Sequence, residues 1–297
     1  MTVSLPVSFV QQYTKNLQML CQQKGSKLRG LVSVEQVRGE CAYFEQIGAV
    51  EATESAARNT TSGATYHTDT PIVDVPYSRR RLDMSNFRLA DLIENDDRVK
   101  LLIDPTNQTA QTFANALGRA IDTKLLKEAL GKAKTGHDGS TEVELPAGQI
   151  VDSAAAAVFN VDKLIEVKTL MDKADVPEED RYMAVSAADL KNLLKDQKAT
   201  SVDYAAVRAL VQGQIDTFMG FKFVRISDKV WTAAGIGANT AVAFHRDGLK
   251  LGIGQDIITH IDQRPDKNYA TQVYSEINFG ACRMLETSVV KIVSKAE

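Results

Sequence analysis

The sequence is short of most of the features that announce an enzyme, a membrane protein or a secreted scaffold. In 297 residues there are three cysteines, Cys21, Cys41 and Cys282. They are far apart and odd in number, which argues against a disulfide framework and for reduced thiols. No CxxC or HExxH spacing occurs, so the sequence offers no local zinc-ligand pattern. No run approaches the ~18 apolar residues of a membrane helix. The start, Met1 to Pro6, lacks the basic and apolar regions of a signal peptide, and residence in the cytoplasm where the chain is made is the expectation. Aromatics make up 6% of residues, with Trp231 the one tryptophan. Lysine is missing from Leu28 through Val99, and acidic residues are missing from positions 1–30.

What is present is an ordinary soluble composition, 44% hydrophobic and 25% charged, with a net charge of −3. That balance gives no global case for nucleic-acid binding. The first 30 residues differ: Lys15, Lys24, Lys27 and Arg29 give them +4, leaving −7 on the remainder. An arm of this charge touches a polyanion or an acidic neighbour, or is simply solvated.

Periodicity divides the rest. Val10, Tyr13, Leu17 and Leu20 predict an amphipathic helix over residues 7–23, ended by Gly25. Residues 28–50 read as extended. From Gly48 to Thr70 the chain is small and polar, with a loop signal at Asn59-Thr60-Thr61-Ser62-Gly63. Ile72, Val73 and Val75, then Leu82 and Met84, return it to extended form. Residues 41–92 thus form a polar ribbon with no evident core of its own, and such a ribbon is marginal alone. It needs another surface to lie on.

Phe113, Leu117, Ile121 and Leu125, spaced by four, predict a long helix over 106–131 that stops at Gly131. Residues 132–150 read as a Gly- and charge-rich loop. Further helices are expected over 160–174 and, from the cap-like Ser186, over Ala187–Asp196. Residues 198–217 are ambiguous. Strands are expected at Arg181–Val185, Phe221–Ile226, Ala241–His245, Thr271–Ala281 and Thr287–Val293.

A search for chemistry is nearly empty. His67, His137, His245 and His260 fall in no catalytic or ligating pattern. There is no GxSxG and no phosphate-binding P-loop. Gly235-Ile-Gly237 and Gly252-Ile-Gly254 each lack the third glycine of a dinucleotide loop. Glu94-Asn95-Asp96-Asp97 groups three carboxylates without cation-loop spacing and reads as a turn or helix start. The sharpest charge cluster is Arg79-Arg80-Arg81; in a strand, Arg79 and Arg81 share one face and Arg80 takes the other. No catalytic, cofactor or metal residue is assigned.

The order of elements resembles the major capsid proteins of tailed phages, those with the Hong Kong 97-like fold, and is closest to the podophage type. Ala42-Tyr43-Phe44-Glu45-Gln46-Ile47-Gly48 and Leu82-Asp83-Met84 through Leu92-Ile93 resemble the two strands of that family's E-loop. Thr109–Leu130 resembles its spine helix. Val176-Pro177 through Arg181 to Ser186, and Met219-Gly220-Phe221-Lys222-Phe223-Val224, resemble A-domain segments. The resemblance implies an α+β fold in five parts: an N-terminal arm (1–40), an E-loop (41–92), a P-domain with the spine helix (93–150), an A-domain (151–270) and returning P-domain strands (271–297). It implies a structural, non-enzymatic subunit of a virion head. Its partners would be copies of itself in hexamers and pentamers, a separate scaffolding protein, a portal, and packaged double-stranded DNA bound non-specifically, with no membrane. A separate scaffold is expected because only about 40 residues precede the ribbon. Glu51, Glu54, Arg58, Arg79, Arg80 and Arg81 are the expected inter-subunit contacts, and Lys15, Lys24, Lys27 and Arg29 the inner-surface arm. A cellular nanocompartment shell of the same fold, or a small-ligand-binding enzyme, are the alternatives.

The prototype of this family links its subunits covalently through an E-loop lysine. A ribbon without lysine cannot supply that nucleophile. Boiled particles should therefore run on an SDS gel as one monomer band; a ladder of linked subunits would refute this.

Overall fold

A computed structural model describes residues 21–52, 72–94, 106–151, 158–195, 217–237 and 239–295. The helix expected over 7–23, most of the polar tip, and the ambiguous 198–217 stretch therefore lie almost wholly outside the described residues. Fourteen strands occur among those described: β1 (Ser33–Gln36), β2 (Cys41–Ile47), β3 (Tyr77–Asp83), β4 (Ser85–Ile93), β5 (Ala133–Thr135), β6 (Thr141–Val143), β7 (Ile150–Val151), β8 (Arg181–Val185), β9 (Thr217–Phe218), β10 (Phe221–Arg225), β11 (Thr240–His245), β12 (Leu249–Arg264), β13 (Ala270–Arg283) and β14 (Val289–Val293). The α-helices are α1 (Thr106–Leu130), α2 (Val161–Lys173), α3 (Ala187–Lys195) and the short α4 (Asp228–Ala233).

Three sheets result. The first runs β1-β12-β13-β4, the second β7-β14-β11-β8-β10-β9, and the third β2-β3-β5-β6. The long helix α1 lies against the first sheet, as its spacing of four requires. Leu117, Ile121, Leu125 and Leu126 are buried with Leu251, Ile277 and Phe279. The second sheet carries α2 on an apolar layer of Leu164, Val167 and Met171 against Met183, Val185 and Val290. Every residue of β8 and β11 is buried, as expected for central strands covered on both faces.

Two readings change. Residues 132–150 are not only loop: β5 and β6 form a small hairpin that extends the β2–β3 ribbon through Arg80↔Thr135 and Arg81↔Lys134. The strands are too short for periodicity to register. The 16-residue strand β12 also went unpredicted. Its two glycines and polar far half obscure the alternation, and a bulge interrupts its pairing with β13 between Ile253 and Ile258. The boundary drawn at 270/271 falls at the start of β13, just past the turn of this β12–β13 hairpin, and β14 enters the second sheet beside β11.

The N-terminal arm docks on α1 through one carboxylate. Asp122 is fully buried. It accepts hydrogen bonds from the Ser26 hydroxyl (2.6 Å), the Gln23 amide (2.6 Å) and the backbone N–H groups of Lys27 (3.0 Å) and Leu28 (3.0 Å). One turn earlier, Gly118 admits the arm backbone: a Cβ there would stand 2.5 Å from the Gly25 carbonyl carbon. Asn115 accepts from the Gly25 N–H, and Arg119 donates to the Gln23 carbonyl. Positions 115, 118, 119 and 122 share one helix face by the three- and four-residue rule. The arm then continues as β1, parallel to β12.

Asp122→Ala removes the shared acceptor of Gln23, Ser26, Lys27 and Leu28 and leaves the Leu28 N–H buried without it. A loss of roughly 3 kcal/mol is expected, read by urea denaturation; a change within about 0.5 kcal/mol would show that the arm is held by other contacts.

Candidate assembly surface

The ribbon expected to lack a core has one at its base. β2 and β3 pair from Cys41↔Asp83 to Ile47↔Tyr77. Period-two alternation then turns Phe44 and Leu82 inward, where they are buried with Val37, Cys282 and Met284. Glycines of the first sheet make the seat. A Cβ on Gly280 would lie 2.5 Å from a Leu82 methyl and 2.4 Å from the Asp83 carbonyl oxygen. Cβ atoms on Gly252 and Gly254 would crowd Val37 and Met84, each at 2.9 Å. The glycine pair in β12 therefore serves close packing of the ribbon, not a phosphate. Burial pushes the Cys282 thiol up to about 12, so it stays protonated and unreactive.

The arginine triplet divides as strand geometry requires. Arg80 turns inward and is 7% exposed. Its Nη2 sits 2.7 Å and 2.8 Å from the two Glu286 oxygens, and its Nε donates to the Met284 carbonyl at 3.1 Å. Arg79 and Arg81 stay at the surface and pair with Glu45 (3.2 Å) and Asp83 (2.7 Å). Lys134 of β5 adds a second bond to Asp83 at 2.6 Å.

Glu286 links Arg80 to a second buried arginine that the sequence reading missed. Arg283 is fully buried at the end of β13. Its guanidinium donates to the carbonyls of Ala129 (2.9 Å) and Gly131 (2.6 Å) at the C-terminus of α1, and of Val143 (2.9 Å) in β6. A cation there meets the orphan carbonyls and negative end of the helix. Desolvation pulls its pKa below the ordinary arginine value, yet an arginine remains charged. Its Nε lies 3.9 Å from Glu286. One carboxylate thus faces two buried guanidiniums.

Beyond this base the ribbon changes character. Tyr43, Ile47, Val50, Ile72, Val73, Val75 and Tyr77 are all exposed, Ile72 at 97%. Two stretches of the ribbon so rich in exposed apolar side chains mark a candidate contact surface. Glu51 is exposed beside them; Glu54 and Arg58 lie outside the described residues. Of the arm cations, Lys24 is exposed, Lys27 donates to the Arg225 carbonyl (2.6 Å), and Arg29 forms a two-point pair with Asp256 (2.9 and 2.6 Å). Lys15 lies outside the described residues.

The other sequence candidates do not converge. His137 pairs with Asp138 in an exposed turn, His245 is buried at the end of β11, and His260 stacks on Tyr274. His67, Asp96 and Asp97 lie outside the described residues. Among the described residues, no group of His, Cys, Asp and Glu is placed to hold a metal ion.

The family model described as "Phage capsid protein" matches residues 5–295. Among curated protein sequences, none is significantly similar. Solved structures are similar in fold at low identity. The capsid of cyanophage P-SCSP1u has a TM-score of 0.73 at 16% identity, over 98% of this chain and 94% of that one. The head of Helicobacter pylori bacteriophage KHP40 has a TM-score of 0.72 at 10% identity, over 99% and 98%. The capsid of cyanophage Pam1 has a TM-score of 0.69 at 12% identity, over the whole of both chains.

Glu286→Ala would leave Arg80 and Arg283 buried without their shared carboxylate. Breaking a buried pair from one side costs roughly 3–5 kcal/mol, and a loss of that size is expected in chemical denaturation. A loss under about 0.5 kcal/mol would put the pair among ordinary surface bridges.

Proposed function

The chain belongs to the phage capsid protein family and is a shell-forming structural subunit of a phage head, residing in the virion capsid; from that premise we propose how its parts divide the work of assembly. The mixed α+β fold, which matches phage capsid structures, is of the Hong Kong 97 type. In that scheme residues 1–40 are the arm, 41–92 the E-loop, 93–150 the P-domain with α1 as spine, 151–270 the A-domain, and 271–297 the returning strands. The role is structural, and we assign no catalytic step to it.

The observation that carries this reading is the contrast along the ribbon. Its base is buried in its own chain, while seven large apolar residues from Tyr43 to Tyr77, among the described residues, face solvent. Covering those seven on a neighbouring subunit would contribute on the order of 10 kcal/mol per subunit before the cost of association. Arg79, Arg81, Glu51, Glu54 and Arg58 are the polar contacts flanking that apolar strip, and Arg80 acts from within by holding the ribbon to Glu286. The arm, with Lys15, Lys24, Lys27 and Arg29, lies along the inner face. Bonds between subunits are non-covalent. Copies of the chain assemble as hexamers and pentamers, with a separate scaffolding protein, a portal and enclosed double-stranded DNA as the further partners.

Deletion of residues 50–68 touches none of the described strands, so it leaves the ribbon's base and all three sheets in place. The shortened chain should stay soluble, elute as a small species in size-exclusion chromatography and form no shells. Normal particles in electron micrographs would sink the proposal.

A further inference from the structure

One face of the subunit carries a concentration of positive charge that neither the ribbon nor the arm alone accounts for. Two adjoining grooves, of about 470 Å³ and 530 Å³, run beside α1 and α4 and share Lys229 in their walls. The first is also lined by Arg119, Lys124 and Lys127 and by no carboxylate. The second adds Lys27 and Arg225, with Asp228 its one acidic residue. Six cations therefore meet on one face of a chain whose net charge is −3.

Their charge is mostly unspent. Lys27 and Arg119 donate to neutral groups, the Arg225 carbonyl and the Gln22 and Gln23 oxygens. Those bonds fix the side chains and leave their charge uncancelled. Lys124 alone has a carboxylate within bonding distance, Glu128 at 3.0 Å. Lys127, Arg225 and Lys229 are exposed and have no ion-pair partner among the described residues. Several cations elsewhere are matched, Lys132 with Glu142 and Glu144, Arg29 with Asp256 and Arg264 with Asp266, while the unmatched ones, such as Lys173, Lys267 and Lys295, are scattered and do not line a shared groove with other cations.

We propose that this composite face of arm, α1 and α4 binds the phosphate backbone of double-stranded DNA, without reading sequence. The proposal rests on the reading that the shell encloses DNA and assigns the contact to particular residues. Arg119 and Lys127 are two turns apart on α1, which spreads charge over ~12 Å. A duplex presents one negative charge per ~1.7 Å of its axis, so such a face meets several phosphates at once. A rigid helix flank also requires less ordering on binding than a flexible tail. Lys27 of the arm contributes to this face.

The test is fluorescence anisotropy of the full-length subunit with a random duplex of about 30 base pairs, from about 50 to about 200 mM NaCl. The triple variant Lys127→Ala, Arg225→Ala, Lys229→Ala removes only exposed, unpaired side chains, so folding should be unaffected. Each lost phosphate contact flattens the slope of log K against log[salt] by about 0.9, and the triple variant should flatten it by two to three in all. A control triple on exposed lysines elsewhere, Lys173→Ala, Lys267→Ala, Lys295→Ala, should leave the slope near that of the parent. An unchanged slope in the first triple, or equal flattening in both, overturns the proposal. So does preferential binding of a poly-glutamate peptide over the duplex, which would make the partner an acidic protein. Shell formation by both triples, scored by electron microscopy, separates loss of DNA contact from failure of the capsid reading itself.

Discussion

A fully buried guanidinium, that of Arg283, ties together the parts of this subunit that have no reason to meet on apolar grounds alone. It closes the C-terminus of the long helix by taking its last carbonyls, and it fixes the β5–β6 hairpin through Val143. Through Glu286 it faces Arg80, which anchors the ribbon. Burying such a charge is costly unless its donors are used. Here the donors are used on three separate elements, so the cost is met only when helix, hairpin and ribbon base are all in place. Cooperativity follows from that: none of the three can shift far without exposing or orphaning a charge. Asp122 does the same with opposite sign for the arm, about two turns back along the same helix. The helix is thus the frame, with an acid near its middle for the arm and a base at its end for the ribbon.

Much of the framework was legible in the sequence because it follows short-range periodicity. The spacing of Phe113, Leu117, Ile121 and Leu125 gave α1, and apolar runs gave β8, β11 and β14. The alternation across Arg79-Arg80-Arg81 placed Arg80 on the opposite face from the other two, but did not say which face is inward. It could not say what Arg80 would meet, since Glu286 lies 206 residues away. The same limit hid Arg283 and Asp122. A lone arginine after a strand or a lone aspartate in a helix carries no local mark of burial; only the elements folded over it supply one. The glycines of β12 misled in the other direction, since a pair spaced by one residue suits a phosphate loop or a close-packed sheet equally well.

The two charge patterns on the surface are also of different legibility. The +4 of the first 30 residues is visible in the sequence. The basic face is not, because it gathers Lys27, Arg119, Lys127, Arg225 and Lys229 from three distant segments. Charge counted over the whole chain averages it away. In a shell subunit that averaging is instructive: a slightly acidic protein can keep its copies from associating through general attraction to polyanions, while one face remains able to grip phosphate.

The glycine seat under the ribbon sets a mechanical tolerance. Leu82 and Asp83 rest on Gly280 with no room for even one more carbon, so the direction in which the ribbon leaves the body is fixed by hard contact. The paired section from Cys41 to Ile47 is ~23 Å long. A tilt of about 5° at the seat would carry its far end by ~2 Å, enough to break van der Waals contact with whatever it touches. In a closed shell such errors recur at every joint and must sum to nothing around each vertex. Curvature, a property of the whole particle, is in this sense written into the absence of a few methyl groups.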